Sequence, residues 1–162
     1  MRKLLLLASC LAVGCGQQGA PGNGQGQGTA AAPAQRGPVQ TVTLTGLYES
    51  EGAAPGQLCI TEQGARARFG LVSRREGPGC SGAGTATRAG QTLRLVMDGD
   101  SPCAIEARLA GGRVTFPASL PSGCSYYCAP GAEASGVTFA KTGGTREDAL
   151  RARDLVGGPL CA

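Results

Sequence analysis

The sequence predicts an all-β domain, a small antiparallel meander of about seven or eight strands closed into a barrel or stacked as a sandwich. It also predicts three disulfides and one short C-terminal helix. Three observations point there. Short runs alternate apolar with polar residues, glycine-bearing turn dipeptides separate the runs, and cysteines are spread through the same part of the chain.

The runs begin at Thr41. Val42, Leu44, Gly46 and Tyr48 alternate with Thr41, Thr43, Thr45 and Leu47, and Ala67, Phe69 and Leu71 alternate with Arg68, Gly70 and Val72. Leu93, Leu95 and Met97 alternate with Thr92, Arg94 and Val96. Cys103, Ile105, Ala107 and Leu109 alternate with Ala104, Glu106 and Arg108, and Val114 with Phe116 and Val137 with Phe139 continue the series. Successive side chains of a strand point to opposite faces, so this period sets one face on a core and the other in water. Gln63-Gly64, Ala89-Gly90 and Gly111-Gly112 punctuate the runs, the last as a two-residue hairpin signal. Closing such a meander removes its exposed edges.

A helix is expected after Thr145. That residue suits an N-cap, and Glu147 and Asp148 fall in the first turn, where the helix dipole favours acids. Ala149, Ala152 and Val156 mark one face over about twelve residues, and Gly157-Gly158-Pro159 stops the helix.

Glycine and proline number 28 and 10 among 162 residues, well above the average of about 12% for the two together. Aromatic residues are 4% and Trp is absent. So thin a core needs covalent help, and each disulfide contributes about 2–4 kcal/mol. Setting aside Cys10 and Cys15, the set Cys59, Cys80, Cys103, Cys124, Cys128 and Cys161 is even, as in exported small domains. Many connectivities are open. Meander geometry favours Cys59–Cys80, both near the end of the strand ending at Ser73. It favours Cys103–Cys124 next, because the strand begun at Cys103 pairs with one leading to Cys124. Cys128–Cys161 remains and would pin the helix.

The chain has no His and a net charge of +4. The first fact excludes Ser-His-Asp and Cys-His catalysis and His-ligated metals. The second is too small for a nucleic-acid module. Cys124-x3-Cys128 has no second close pair, so no metal is expected, and neither is a cofactor or an enzymatic activity.

Met1-Arg2-Lys3 is a positive n-region, and Leu4 to Val13 is an apolar stretch interrupted only by Ser9 and Cys10, too short to span a membrane as a helix. It ends in Leu11-Ala12-Val13-Gly14-Cys15, which resembles a bacterial lipobox. Leu7-Ala8-Ser9-Cys10 fits the local pattern better but leaves only nine residues before the cut, so Cys15 is the expected site. The resemblance implies a signal peptide over residues 1–14, a diacylglyceryl and N-acyl lipid on Cys15, and an anchored, exported chain. Gly16 in place of Asp implies the periplasmic face of the outer membrane. Residues 15–40 then form a tether. From Gly16 to Gln40 the chain has seven Gly, six Gln and a single charge, Arg36, a composition expected to stay disordered and to span roughly 27 Å. Residues 41–162 form the β domain. The exported part as a whole resembles small lipoproteins of Gram-negative bacteria.

Candidate contacts follow from exposed chemistry. Pro117 to Ser135 is long for a loop and carries Cys124, Cys128 and the adjacent Tyr126 and Tyr127. The pair suits a contact surface; alternatively one ring covers the barrel end and the other lies on a disulfide. Arg66 and Arg68, with Arg74 and Arg75, form the densest positive group, fit for an anionic lipid or glycan or for a solvated hairpin face. Lys141 is the sole lysine after the signal, and structural duty is expected of it. Glu49 with Glu51 and Asp98 with Asp100 are the near carboxylate pairs.

Cys80-Ser81-Gly82-Ala83-Gly84 resembles a segment of the membrane-bound inhibitors of c-type lysozyme, which are small disulfide-linked β-barrels. In that family the Ser-Gly segment meets the enzyme's cleft, which implies a contact role for Ser81 and Gly82. Thr85-Ala86 stands where that family has basic and aromatic residues. The expectation is therefore a non-catalytic, lipid-anchored periplasmic domain that binds an envelope protein or anionic glycan, or alternatively inhibits a lysozyme or protease.

Overall fold

In the computed structural model, residues 43–52, 55–74 and 77–161 are described. Cys15, the signal and the expected tether lie outside them. The chain forms a closed antiparallel barrel in which each strand pairs with its sequence neighbours and the last returns to the first. Its strands are β1 (Gly46–Ser50), β2 (Gly56–Gln63), β3 (Arg66–Arg74), β4 (Gly79–Ala89), β5 (Thr92–Met97), β6 (Ala104–Ala110), β7 (Arg113–Thr115) and β8 (Thr138–Gly143). The barrel, not the sandwich, is the architecture.

The alternating runs supply the inward faces. Tyr48, Leu58, Ile60, Phe69, Leu71, Leu93, Leu95, Ile105, Val114 and Phe139 are buried in one continuous core, with Phe116 and Phe139 ring centroids 5.4 Å apart. Two strands carry no such alternation. β4 turns Cys80, Gly82, Gly84 and Ala86 inward, opposite the bulky faces of β3 and β5. A Cβ on Gly84 would collide with the Val96 carbonyl and sit 2.8 Å from the Phe69 ring, so the small residue admits the large ones around it. β2 is buried on both sides, because its outer face lies under the C-terminal segment.

That segment builds a second, smaller core on the outside of the barrel. Leu47, Cys59 and Val72 from β1, β2 and β3 pack beneath Ala149, Ala152, Leu160 and Cys161. At Gly70 a Cβ would meet the Leu160 backbone, with Leu160 Cγ at 2.7 Å, so glycine permits the approach. The expected twelve-residue helix is corrected to a single turn, α1 (Arg146–Ala149). Its start is as read: Thr145 accepts a hydrogen bond from Asp148 N, and Asp148 closes a capping box. Past Leu150 the chain tightens into turns, Arg151 N donating to Asp148 O and Ala152 N to Ala149 O. Asp154 then reverses it, its Oδ1 accepting from Val156 N at 2.9 Å and Gly158 N at 2.7 Å. Arg153 N donates to Gln57 Oε1 at 2.9 Å and Leu160 N to Ala152 O at 3.1 Å. Ala149 and Ala152 are buried as expected, but Val156 sits at the turn's tip, 92% exposed.

The disulfides are Cys59–Cys161, Cys80–Cys128 and Cys103–Cys124. The third matches the expectation. The pairs Cys59–Cys80 and Cys128–Cys161 are corrected, and the sheet explains why. Cys59 opposes Leu47 and Gly70 on the outer face, whereas Cys80 opposes Ser73 on the inner face, three residues further along β3. The two thiols look away from each other through the sheet. Among the described residues no helix is long and apolar enough to cross a membrane.

Candidate functional site

The register sorts the barrel into two poles. At the first lie Thr43 and Leu44, the beginning of the described chain, with the tight turns Gly64-Ala65, Gly90-Gln91 and Gly111-Gly112. At the second lie the longer connections, residues 98–103 and 116–137.

The second pole carries the stapled loop. Residues Ser122–Tyr127 form a 3-10 helix, held by Cys103–Cys124 on one side and by Cys80–Cys128 just beyond it. Ser101 grips it twice: its Oγ donates to Gly123 O at 2.9 Å, and its carbonyl accepts from Tyr127 Oη at 2.8 Å. The Tyr127 ring lies over two glycines. A Cβ on Gly82 would be 3.4 Å from Tyr127 Cδ1, and one on Gly99 would be 3.0 Å from Tyr127 Oη. Tyr127 is thus the cover of the barrel end. Tyr126 meets it edge-on, with centroids 5.3 Å apart, and is 66% exposed. Beside them opens a hollow of about 460 Å3, lined by Leu120, Pro121, Ser122, Ser125, Ala132 and Glu133 among others. Chain length alone marked this loop; the hollow had no signal in the sequence, because small residues line it.

Ser81 and Gly82 lie within β4, paired with Val72 and Leu71. They are part of the wall and not a projecting segment, and Gly82 lies under Met97 and Tyr127. Arg66 and Arg68 stand on the outer wall at the start of β3. Arg68 pairs with Asp98 at 2.5 Å, and Arg66 has no carboxylate partner among the described residues. Arg74 Nη2 instead donates to Leu155 O at 2.8 Å, far from them, and Arg75 lies outside the described residues. Glu51 pairs with Arg113 at 2.7 Å. Glu49 lines a different hollow of about 580 Å3, with Arg74, Arg153 and Asp154.

The first pole is knotted by one carboxylate. Glu62 Oε2 accepts from Leu44 N at 3.0 Å, from Thr45 N at 3.1 Å, from Thr45 Oγ1 at 3.1 Å and from Thr43 Oγ1. Burial opposes its charge, but the hydrogen bonds from Thr43, Thr45 and Leu44 outweigh burial and hold its pKa below the usual value. Lys141 Nζ donates to Thr43 O at 2.8 Å and lies 5.5 Å from the Tyr48 ring centre. Burial pushes the Lys141 pKa down, against the attraction of Glu62. Burial first, and Glu62 second, push Tyr48 up to about 12, while its hydroxyl donates to Leu44 O at 2.8 Å. These groups bind the chain's first described residues to the barrel.

Fold and site together define a disulfide-stapled, eight-stranded up-and-down β-barrel with one elaborated pole. No protein-family model, curated protein or solved structure matches the chain.

Proposed function

We propose that this protein is a non-catalytic binding domain of the cell envelope, exported and held by a lipid on Cys15. Residues 1–14 act as the signal and 15–40 as the tether, and the anchor lies on the periplasmic face of the outer membrane. The observation that carries the reading is the separation of the poles. The chain joins the barrel at one pole, while Tyr126 and its neighbouring hollow lie at the other, held rigid by two disulfides. An exposed aromatic on a preorganised loop binds at small entropic cost. The carboxylates Glu51 and Asp98 are occupied by exposed arginines, which supports a role without catalysis or cofactor.

Mass spectrometry of the mature N-terminus tests the anchor: an acylated Cys15 is expected, and a free thiol or a cut elsewhere overturns it. Capture from envelope extract tests the contact. A specific partner should be retained by the parent and released by Tyr126→Ala, and equal retention by both assigns the contact elsewhere. The second reading, inhibition of a lysozyme or protease, is favoured by the doubly stapled 3-10 segment, whose exposed Tyr126 suits a cleft better than Ser81 and Gly82 do. Absence of inhibition at micromolar protein excludes it.

A further inference from the structure

The barrel wall opposite the C-terminal segment is sorted by charge. On the outer faces of β3, β4, β5 and β6 Arg66 comes just before the pair of Ala67 with Ala86, and the register sets Thr87 beside Arg94 and Arg94 beside Glu106. One step nearer the first pole, Arg108 stands between Thr92 and Thr115. Neighbouring strands lie about 4.8 Å apart, and Arg66, Arg94 and Arg108, interleaved with threonine hydroxyls, form a convex band over β3 to β6 of the closed barrel. Arg68 and Arg113 flank it, paired with Asp98 and Glu51. Arg88 and Lys141 stand at the adjoining rim, the first donating to Gly90 O at 2.9 Å and the second to Thr43 O. The carboxylates of this half are Glu62, tied to residues 43–45, Glu106, paired with Arg94 at 2.6 Å, and at the end of β8 Glu147 and Asp148 of α1, the latter paired with Arg151. Asp100 and Glu133 belong to the second pole. Arg66 and Arg108 have no carboxylate partner among the described residues and are exposed.

We propose that the first pole and this adjoining wall dock on a lipid surface bearing anionic phosphate headgroups, with Arg66 and Arg108 as principal contacts. Charge complementarity selects the surface, since guanidinium forks match phosphate oxygens and threonine hydroxyls add donors. Position agrees with it, since the described chain begins at this pole with Thr43, on the side of an N-terminal anchor. Docking in this sense turns Tyr126 and the hollow away from the lipid. The proposal takes its setting from the anchor reading but is tested without it.

The test uses the chain from Gly16 to Ala162, secreted into an oxidising compartment behind a cleavable leader. It keeps every described residue and all three disulfides, and takes no acyl group. Sedimentation with phosphatidylcholine vesicles containing about a third phosphatidylglycerol should show binding that is lost on neutral phosphatidylcholine and near 0.5 M salt, where the Debye length is only a few ångströms. Each removed arginine should reduce partitioning about five-fold, so Arg66→Gln with Arg108→Gln should reduce it about 25-fold at an unchanged urea midpoint. Arg151→Gln, on the C-terminal segment, should bind like the parent. Equal binding to neutral vesicles, or a double variant that binds like the parent, overturns the proposal. So does retention on a soluble acidic polysaccharide without vesicle binding, which would assign the wall to a glycan. None of these outcomes bears on whether Cys15 is acylated.

Discussion

Replacing Cys59→Ala and Cys161→Ala together removes the bridge that encloses most of the barrel. The bridged residues are 102 apart, and the chain-entropy account gives about 4.7 kcal/mol at 25 °C for a loop of that length. With a urea slope of about 2 kcal/mol/M, the midpoint should fall by roughly 2 M. The barrel's hydrogen-bonded closure survives, since β1 and β8 pair without the C-terminal segment. The segment itself should loosen first. It is then held by the small core around Leu47 and Val72, by Arg153 N on Gln57, and by Arg74 on Leu155 O. Trypsin should therefore cut at Arg151 and Arg153 well below the global midpoint, while far-UV circular dichroism still reports the barrel. A thiol titration of the same variant discriminates connectivities: Cys80 and Cys128 remain bonded to each other, so no new thiol appears. A loss below about 1 kcal/mol, or a free pair at Cys80 and Cys128, would refute the reasoning.

The two adjacent tyrosines should separate cleanly. Tyr126→Ala should leave stability within about 0.5 kcal/mol, whereas Tyr127→Ala should cost about 2 kcal/mol by uncovering Gly82 and losing the Ser101 hydrogen bond; equal effects in urea unfolding would contradict the assignment. Tyr48 has a folded pKa of about 12 against 10.0, so its contribution is whole below pH 10 and is lost as pH rises through 12, by roughly 2–3 kcal/mol. A Tyr48→Phe variant should lack that alkaline loss, and matching pH curves for variant and parent would show that burial of the hydroxyl is not its cause. Glu62 and Asp148 have depressed pKa values, so their contribution is present above the ordinary carboxylate range and is lost as pH falls through the folded values. Glu62→Gln should flatten the acid limb and quicken amide exchange at Leu44 and Thr45, and unchanged exchange there would count against its role in holding them. Gly84→Ala should prevent closure or cost more than about 2 kcal/mol, because the new methyl meets the Val96 carbonyl; near-parental unfolding would mean that β4 and β5 can part without cost.

Large side chains wrote most of the barrel into the sequence. β3, β5 and β6 are legible because Phe69 and Leu71, Leu93 and Leu95, and Ile105 with Leu109 stand on one face each. β4 is not, because its inward residues are Cys80, Gly82, Gly84 and Ala86, whose smallness is a response to bulk on other strands. β2 lacks alternation because Leu58 and Ile60 fill the barrel while Cys59 meets the C-terminal segment. The connectivity was hidden for the same reason, since the inner or outer face of Cys59 depends on that segment crossing the wall. At the candidate site the length of the loop was legible, but the division of labour between Tyr126 and Tyr127 was not. It is set by Gly82 and Gly99, which lie far from the tyrosines in sequence.

An even-stranded meander closed on itself begins β1 and ends β8 at the same pole, so every odd-to-even connection lies at the opposite pole. In this barrel the connections back to the first pole are tight turns at Gly64, Gly90 and Gly111, and the long connections between strands are at the second. Tight turns keep three of the connections at the first pole short, and it offers arginines, threonines and Lys141 together with Glu62 and the acids of α1. Long connections make the second pole deformable unless they are tied, and two of the three disulfides are spent there, on Cys124 and Cys128 at the two sides of one 3-10 helix. The third ties the chain's end to the wall, away from both poles. If a rigid second pole matters only for folding, removing Cys80–Cys128 should change stability and partner capture in proportion. If the pole is a binding surface, capture should fall under conditions where the variant is still fully folded.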